Sequence, residues 1–342
     1  MVQVHLITNK YKVNCVRYVL SFTNIIKTSF EHIELRMSRL EILKYTTDDR
    51  KHILEKYEKT VEDLPEDVNT IREWIKNQPH LPEILEDDVI ERFMLLNKFR
   101  IEVTKQKIDA YYSLRSIIPE FYDKNPNGEL IRDITNIVHF VPLPKLTEEY
   151  HRVVVIKPRD ITSDAFDAVT YIAHTINFAE IRLRHDYYFK EVHIYDLGGV
   201  RIGNLAKFTP SVIKRAVLLL DKVFSNVVGG LHFINVPNFI DTFMVLLKST
   251  LKPKMANMVF VHKGAESLYE MFSKEVLPKD YGGNERSLNE LSDEWKKVFN
   301  NYDDLFQKLS KMKVNEELRQ KPLFDEDDLF GIQGNFKKLN VD

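Results

Sequence analysis

Chemistry in this chain would have to begin from a few histidines and one aspartate. His174, His193, His232 and His262 stand singly on different segments, three of them inside short apolar runs. A zinc site needs three or four side chains that converge, and this spacing gathers none. The plainer reading is histidines in the core or at its rim, each satisfied by a hydrogen bond, so no metal and no cofactor is expected. Asp196 closes the run Glu191–Leu197. The C-terminal end of a strand is where ligand-contacting groups of α/β sheets often sit, but capping the turn at Gly198-Gly199 is the stronger of its two readings. Gly198 and Gly203 have the gap of a phosphate-binding loop, yet Asn204-Leu205 stand where Lys and Ser or Thr are required. Neither the cation for a terminal phosphate nor the hydroxyl for magnesium is there. No glycine triplet fits the dinucleotide fingerprint, and no Gly-x-Ser-x-Gly elbow exists. Cys15 lies in an atypical N-terminal stretch, a poor place for a nucleophile. Trp74 and Trp295 read as packing anchors, and Tyr187-Tyr188 lacks the repetition of a nucleic-acid stacking platform. The expectation is a protein that is not an enzyme and does not bind nucleic acid.

One segment departs from ordinary helical patterning. Phe239–Leu251 is apolar around nearly its whole circumference between Phe243 and Leu247. A helix apolar on all sides is either buried or covers something apolar. Pattern alone leaves both open: a buried helix against a sheet, or a lid over an apolar cavity, with Pro237 and Pro253 as hinge-like boundaries.

The elements that would position these residues fall into two blocks. From 37 to about 125 the pattern is helical. Asp48–Leu64 forms one run that Pro65 ends, Val68–Lys76 a second with Ile71, Trp74 and Ile75 on one face, Asp87–Phe99 a third, and Glu102–Arg115 a fourth. Together they read as a small bundle of short helices. From about 130 strands and helices alternate. Val153–Ile156, Glu191–Leu197, Leu231–Val236 and Met258–His262 read as strands. Ser163–Arg184, a helix opening at Pro210 and carrying Val212 to Val223, Phe239–Leu251 and Glu266–Ser273 read as helices. Uniformly apolar strands alternating with helices predict an α/β fold with a mostly parallel sheet covered by helices. The tail after 310 is charged, rich in Asn and Gln, and expected to hang loose.

Bulk composition sets the limits. The 342 residues carry 49 Lys and Arg against 51 Asp and Glu, a formal net charge of -2. With both signs interspersed there is no global attraction to nucleic acid or an anionic membrane. The one cysteine points to a reducing compartment, and no apolar run approaches the ~20 residues needed to span a bilayer. Val13–Ile26 is interrupted by Arg17 and lacks a cleavage site, so it is not read as a secretory signal. Residues 1–36 keep no clean period, and three readings stay open: a disordered extension, a segment upstream of a working start at Met37, or a mitochondrial presequence.

Separated motifs then agree with a known family. Asp196-Leu197-Gly198-Gly199, Phe208-Thr209-Pro210-Ser211, His232–Pro237, Leu247-Lys248 with Leu251–Met255, and Leu277–Gly283 resemble, in order and spacing, the CRAL-TRIO (Sec14-like) lipid-binding domain. Ile71–Ile75 and Asp88–Phe93 resemble the family's N-terminal helical domain. The branch that includes alpha-tocopherol transfer protein, clavesin and retinaldehyde-binding protein is the most similar. The resemblance implies an organisation of 1–36 extension, 37–125 helical domain, 126–290 lipid-binding domain, and 291–342 C-terminal helix and flexible tail. It implies a cage closed by a lid helix at 239–251 that holds a hydrophobic small molecule such as a retinoid, a tocopherol or another lipid. Wall candidates are Ile194, Leu197, Phe233 and Ile234 on strands, Val169, Ile172, Ala173 and Ile176 on one helix, and Val212, Ala216 and Leu219 on another. The lid itself adds Phe239, Phe243, Leu246 and Leu247. Tyr171, His174 or Thr175 would orient the ligand's polar group. Some members bind phosphoinositides through four basic positions beside the lid. Here Val227, Gly229 and Met258 replace three and Lys254 keeps one, so that contact is weakened. Lys248, Lys252 and Lys254 remain for general attraction to an anionic surface. The expected picture is a cytoplasmic monomer, transiently at membranes, that carries a ligand; a lipid-presenting protein that binds a partner when loaded is the alternative.

Overall fold

The structure, a computed structural model, describes residues 40–160, 164–224, 228–320 and 323. The extension 1–36 with Cys15, Met37, the expected helix start at Ser163, Val227 and most of the chain beyond 320 lie outside the described residues. The described residues from Ile42 onward form one compact unit.

Four helices come first: α1 (Thr47–Glu55), α2 (Leu64–Lys76), α3 (Asp87–Leu96) and α4 (Ile101–Ile117). The Thr46 side chain caps α1, and its box is closed by Asp49. Pro65 does not end a helix as the sequence reading has it. It sits in the first turn of α2, where its missing N–H would be unpaired in any case. Next come α5 (Glu129–Ile137), β1 (Val138–Leu146), β2 (His151–Pro158), α6 (Ala168–His185), β3 (Lys190–Asp196), α7 (Ile202–Ala206), α8 (Pro210–Leu219) and β4 (Val228–Ile234). The chain continues through α9 (Ile240–Thr250), α10 (Pro253–Ala256), β5 (Val259–Val261), α11 (Leu268–Met271), α12 (Leu288–Asn301) and α13 (Asp303–Lys311). Helix α6 begins at Ala168 because Asp167 caps it, accepting from the Thr170 N–H at 2.7 Å. Thr209 does the same for α8. The sequence reading carries that helix on to Val223, but α8 stops at Leu219 and gives way to a π-helical turn, Leu220–Phe224.

The five strands lie in the order β1-β2-β3-β4-β5. The pairings β2–β3, β3–β4 and β4–β5 are parallel, as alternating strands and helices predict. β1 is the exception, an antiparallel edge strand on β2. The sequence reading misses it because Pro142 and Pro144 interrupt its apolar run. Proline is tolerated at an edge, where the strand need not donate on both sides. The helix expected over 266–273 is only a 3₁₀ turn at Ala265–Ser267 followed by the single turn of α11.

Buried ion pairs join the helical block to the sheet. Arg152, fully buried on β2, bonds Asp186 at 2.8 Å and reaches the carbonyl oxygens of Leu143 and Lys44. Asp186 also holds Arg182 at 2.9 Å, and its carbonyl accepts from Arg92 of α3 at 3.0 Å. Arg115 of α4 pairs with Glu180 of α6, which accepts from Tyr111 at 2.8 Å. The described tail is docked, contrary to the loose end expected after 310. The Asn315 N–H donates to the His80 carbonyl at 2.9 Å, and Arg319 grips Asp109 at 2.8 Å. Composition suggests disorder for such a stretch, but a guanidinium with a carboxylate partner supplies the missing anchor.

Candidate functional site

Between the sheet and helices α6, α8 and α9 lies an apolar cavity of about 340 Å³. Strands alternate their side chains, so one parity of each strand forms its floor. On β2 this parity gives Ile156 and Pro158, on β3 Glu191, His193 and Tyr195, and on β4 Leu231 and Phe233. Pairing of His193 with Leu231 and of Tyr195 with Phe233 makes the floor continuous. Tyr195 and Phe233 stack at 4.7 Å, 10° from parallel. Helix α6 supplies Tyr171, Ile172, Thr175, Ile176 and Ala179, the i, i+1, i+4 stripe of one helical face. Helix α8 adds Ile213, Ala216, Val217 and Leu219.

Helix α9 closes the cavity on the β4 side. Ile240, Met244 and Leu251 are buried against Leu197, Leu231 and Phe233, with Phe243 and Leu247 packed beside them. Phe243 and Leu247 reach the cavity wall. The opposite side of the helix is open, with Val245 70% exposed. The helix is therefore two-faced despite its apolar run Phe243–Leu247.

Of the wall candidates, Ile172, Ile176, Leu197, Ala216, Leu219, Phe233, Phe243 and Leu247 line the cavity. Ile194 and Ile234 do not. Both are fully buried on the opposite side of the sheet, one residue out of phase with the floor. Ala173 and Val212 are buried but turned off the lining stripes of their helices, and Val169, Phe239 and Leu246 also lie outside the wall. Tyr171 and Thr175 line it, while His174 does not. That histidine is buried near Phe178 (4.8 Å) and Phe299 (5.7 Å), beside a second cavity of about 250 Å³ that Trp295 also lines.

The cavity carries charge at one end, which the sequence reading missed. Arg182 bonds Glu191 at 2.5 Å, and Glu191 also bonds the His193 imidazole. On its other side the ring meets the Tyr195 hydroxyl at 3.2 Å. Burial alone would raise the Glu191 carboxyl, but Arg182 and His193 outweigh it and hold it well below the usual carboxylate range. Arg92 and Asp186 stand at the same end. The signal was available: Glu191, His193 and Tyr195 alternate along a strand, and alternation places them on one face.

Asp196 holds the turn after β3 and also lines the cavity, so its structural contacts do not exclude a ligand contact. It accepts from the Gly198 N–H at 3.0 Å, from Asn235 at 2.9 Å and from the Tyr281 hydroxyl at 2.9 Å. Gly199 then takes φ +82°, a turn geometry that favours glycine. His232 and His262 stack on the far side of the sheet, 3.0 Å apart between ring nitrogens. Among the described residues no three His, Cys, Asp or Glu side chains gather as metal ligands. None of the described helices is long and apolar enough to cross a membrane.

Outside the cavity, Lys248, Lys252 and Lys254 are exposed, and Lys252 is paired with Asp221 at 2.7 Å. Matching of sequence positions leaves Lys254 alone among the four basic positions expected beside α9. In the folded chain it has neighbours from other elements: burial, then Lys254, Arg100 and Lys190, push the Lys98 ammonium down.

Residues 138–283 match the model of the CRAL/TRIO domain, and residues 60–131 match that of the Pinta-like UBA domain. An alpha-tocopherol transfer protein-like protein of Mus musculus is 25% identical over 235 residues, covering 66% of this chain and 67% of the relative. Clavesin-1 of Rattus norvegicus is 24% identical over 230 residues, covering 64% of each. The chain thus spans about two thirds of the length of these curated relatives. A crystal structure of Sfh5 is similar over 73% of this chain and 92% of its own, with 12% identity and a TM-score of 0.44. The matched domain takes in the whole sheet, the helices over the cavity and the motifs from Asp196 to Gly283, and the chain carries a CRAL-TRIO domain over residues 138–283.

Proposed function

We propose that the chain binds one hydrophobic small molecule in the cavity between sheet and helices and transfers it between membranes. The observation that carries this reading is the apolar cavity of about 340 Å³ next to α9, built by residues from separate strands and helices. A volume of this size sits at the lower end of the ~300–1,000 Å³ range of small-molecule sites. Enclosing ~400 Å² of apolar ligand surface is worth about 10 kcal/mol before ordering costs, so no catalytic step is required. The name of the tocopherol transfer protein-like relatives supports the same class of activity.

In this reading α9 is the lid. Its inner residues Phe243 and Leu247 contact the ligand, and Phe239 and Leu246 change surroundings as it opens. Ligand contacts come from Ile172, Ile176, Leu197, Ala216, Leu219 and Phe233. Lys248 and Lys254, with Lys98, Arg100 and Lys190, give weak attraction to anionic lipid, including phosphoinositides. The protein acts as a monomer in the cytoplasm and meets membranes only during exchange.

Transfer between donor and acceptor vesicles tests this with retinol, α-tocopherol and a fluorescent phospholipid as cargo. The wild type is expected to accelerate at least one of them. An Ala216→Trp variant, filling the cavity, is expected to lose that acceleration about tenfold or more while its melting temperature stays close to wild type. No acceleration of any cargo, or equal acceleration by the filled variant, would contradict the reading.

A further inference from the structure

Three polar side chains share the cavity floor where a purely apolar ligand would want none. Glu191, His193 and Tyr195 alternate along β3 and all line the cavity. They form a chain of contacts from Arg182 through Glu191 and His193 to the Tyr195 hydroxyl. Neither Asp196 nor the sheet's hydrogen bonding requires this row, and the neighbouring floor of Leu231 and Phe233 is apolar. Burying such groups costs free energy unless each is satisfied, so the row has to be judged by what it leaves open.

The guanidiniums at this end are committed to partners. Arg152 and Arg182 face Asp186 and Glu191. Arg92, at the same end, gives its guanidinium to the carbonyl oxygens of Asp88 and Asp186. His193 is held on one side by the Glu191 carboxylate and on the other by Tyr195. Tyr195 ends the row. If the ring nitrogen facing it carries a proton, the phenol accepts from it and its own O–H is available. If that nitrogen is bare, the phenol donates to it and its lone pairs are available. An alcohol can answer either state, because a hydroxyl both donates and accepts. A carboxylate would meet the ionised Glu191 with no uncommitted cation beside it.

Taking the cavity as the ligand's seat, we propose that Glu191, His193 and Tyr195 form a polar subsite that receives an uncharged hydroxyl at one end of the cargo and turns away carboxylates. The apolar body then lies over Leu231 and Phe233 towards Phe243 and Leu247. Glu191 to Tyr195 covers four steps of extended strand, roughly 13 Å at ~3.3 Å each, so the row takes up the β3 side of the floor and leaves the β4 side, with Leu231 and Phe233, to the body.

Displacement of Nile red from the full chain by farnesol, farnesene and farnesoic acid tests this. These share one isoprenoid body and differ at the end group. The wild type is expected to bind farnesol about two- to tenfold more tightly than farnesene, the effect of one satisfied hydrogen bond. Farnesoic acid is expected to be the weakest. Tyr195→Phe keeps the ring stacked on Phe233 and is expected to erase the preference for farnesol while leaving farnesene unchanged. Farnesoic acid equal to or tighter than farnesol overturns the subsite, and so does an equal loss of farnesol and farnesene in Tyr195→Phe. If the variant does not fold, the wild-type series decides alone. Failure of all three to displace the dye would instead overturn the carrier reading of the cavity.

Discussion

Burial strips His174 of its charge. The ring is enclosed by Phe178, Phe299 and the rest of the aromatic cluster, and loss of solvent pushes its pKa down to about 3. Its sequence position beside Tyr171 and Thr175 suggests a ligand-orienting role, but the helix turns it away from the cavity to the side where α12 packs. Residue type and neighbours were legible; the direction of the side chain around the helix was not, because the apolar residues of α6 cover more than one face. A consequence for acid stability follows from linkage. The folded value is depressed, so between about 3 and the ordinary ~6.5 the unfolded chain binds the extra proton, and stability falls as pH drops through that window. His139 and His232, both lowered to about 4 by burial first, act in the same direction. Urea unfolding at about pH 7 and about pH 5 is expected to show a loss of which His174 alone contributes about 2 kcal/mol. A His174→Phe variant should show a loss smaller by that amount. An unchanged difference between the two pH values would mean that His174 is not held neutral by burial.

Helix α9 is the element where sequence left the most undecided. Its circumference is apolar, and that pattern fits a buried helix as well as a lid. Its position resolves the geometry: Ile240, Met244 and Leu251 are buried, Phe243 and Leu247 reach the cavity, and Val245 is exposed. In the transfer reading the exposed Val245, with Phe239 just before the helix, meets the membrane. Val245→Asp should therefore fold normally and keep its affinity for a soluble ligand, yet sediment less with anionic vesicles and exchange cargo more slowly. Unchanged vesicle binding would remove α9 from the membrane contact. The strands taught a different lesson. Their existence was legible from apolar runs, but a run apolar at every position does not say which parity faces a cavity. Ile194 and Ile234 were assigned to the wrong side for that reason, and the polar parity of β3 turned out to be the informative one. β1 was hidden by two prolines that an edge strand can accommodate.

At the scale of the molecule, the helical block and the sheet are tied together by buried charge rather than by apolar contact alone. Arg152, Asp186, Arg182 and Arg92 converge where α3, β2 and α6 meet. Arg92, Arg182 and Asp186 of this cluster also line the polar end of the cavity, so what joins the two blocks also shapes the cavity. Sequence could reveal the two blocks and their order, because helical period and strand alternation are local signals. It could not reveal the junction, whose members are separated by up to 94 residues. The docked tail, held through Arg319 to Asp109, was lost for the same reason. The account as a whole stands on the cavity being occupied by one apolar molecule. Native mass spectrometry of the full chain, after incubation with a total lipid extract and gel filtration, tests this most directly. A single added mass matching one apolar small molecule, absent in the Ala216→Trp variant, is the expected result; a bare chain mass in the wild type would contradict the account.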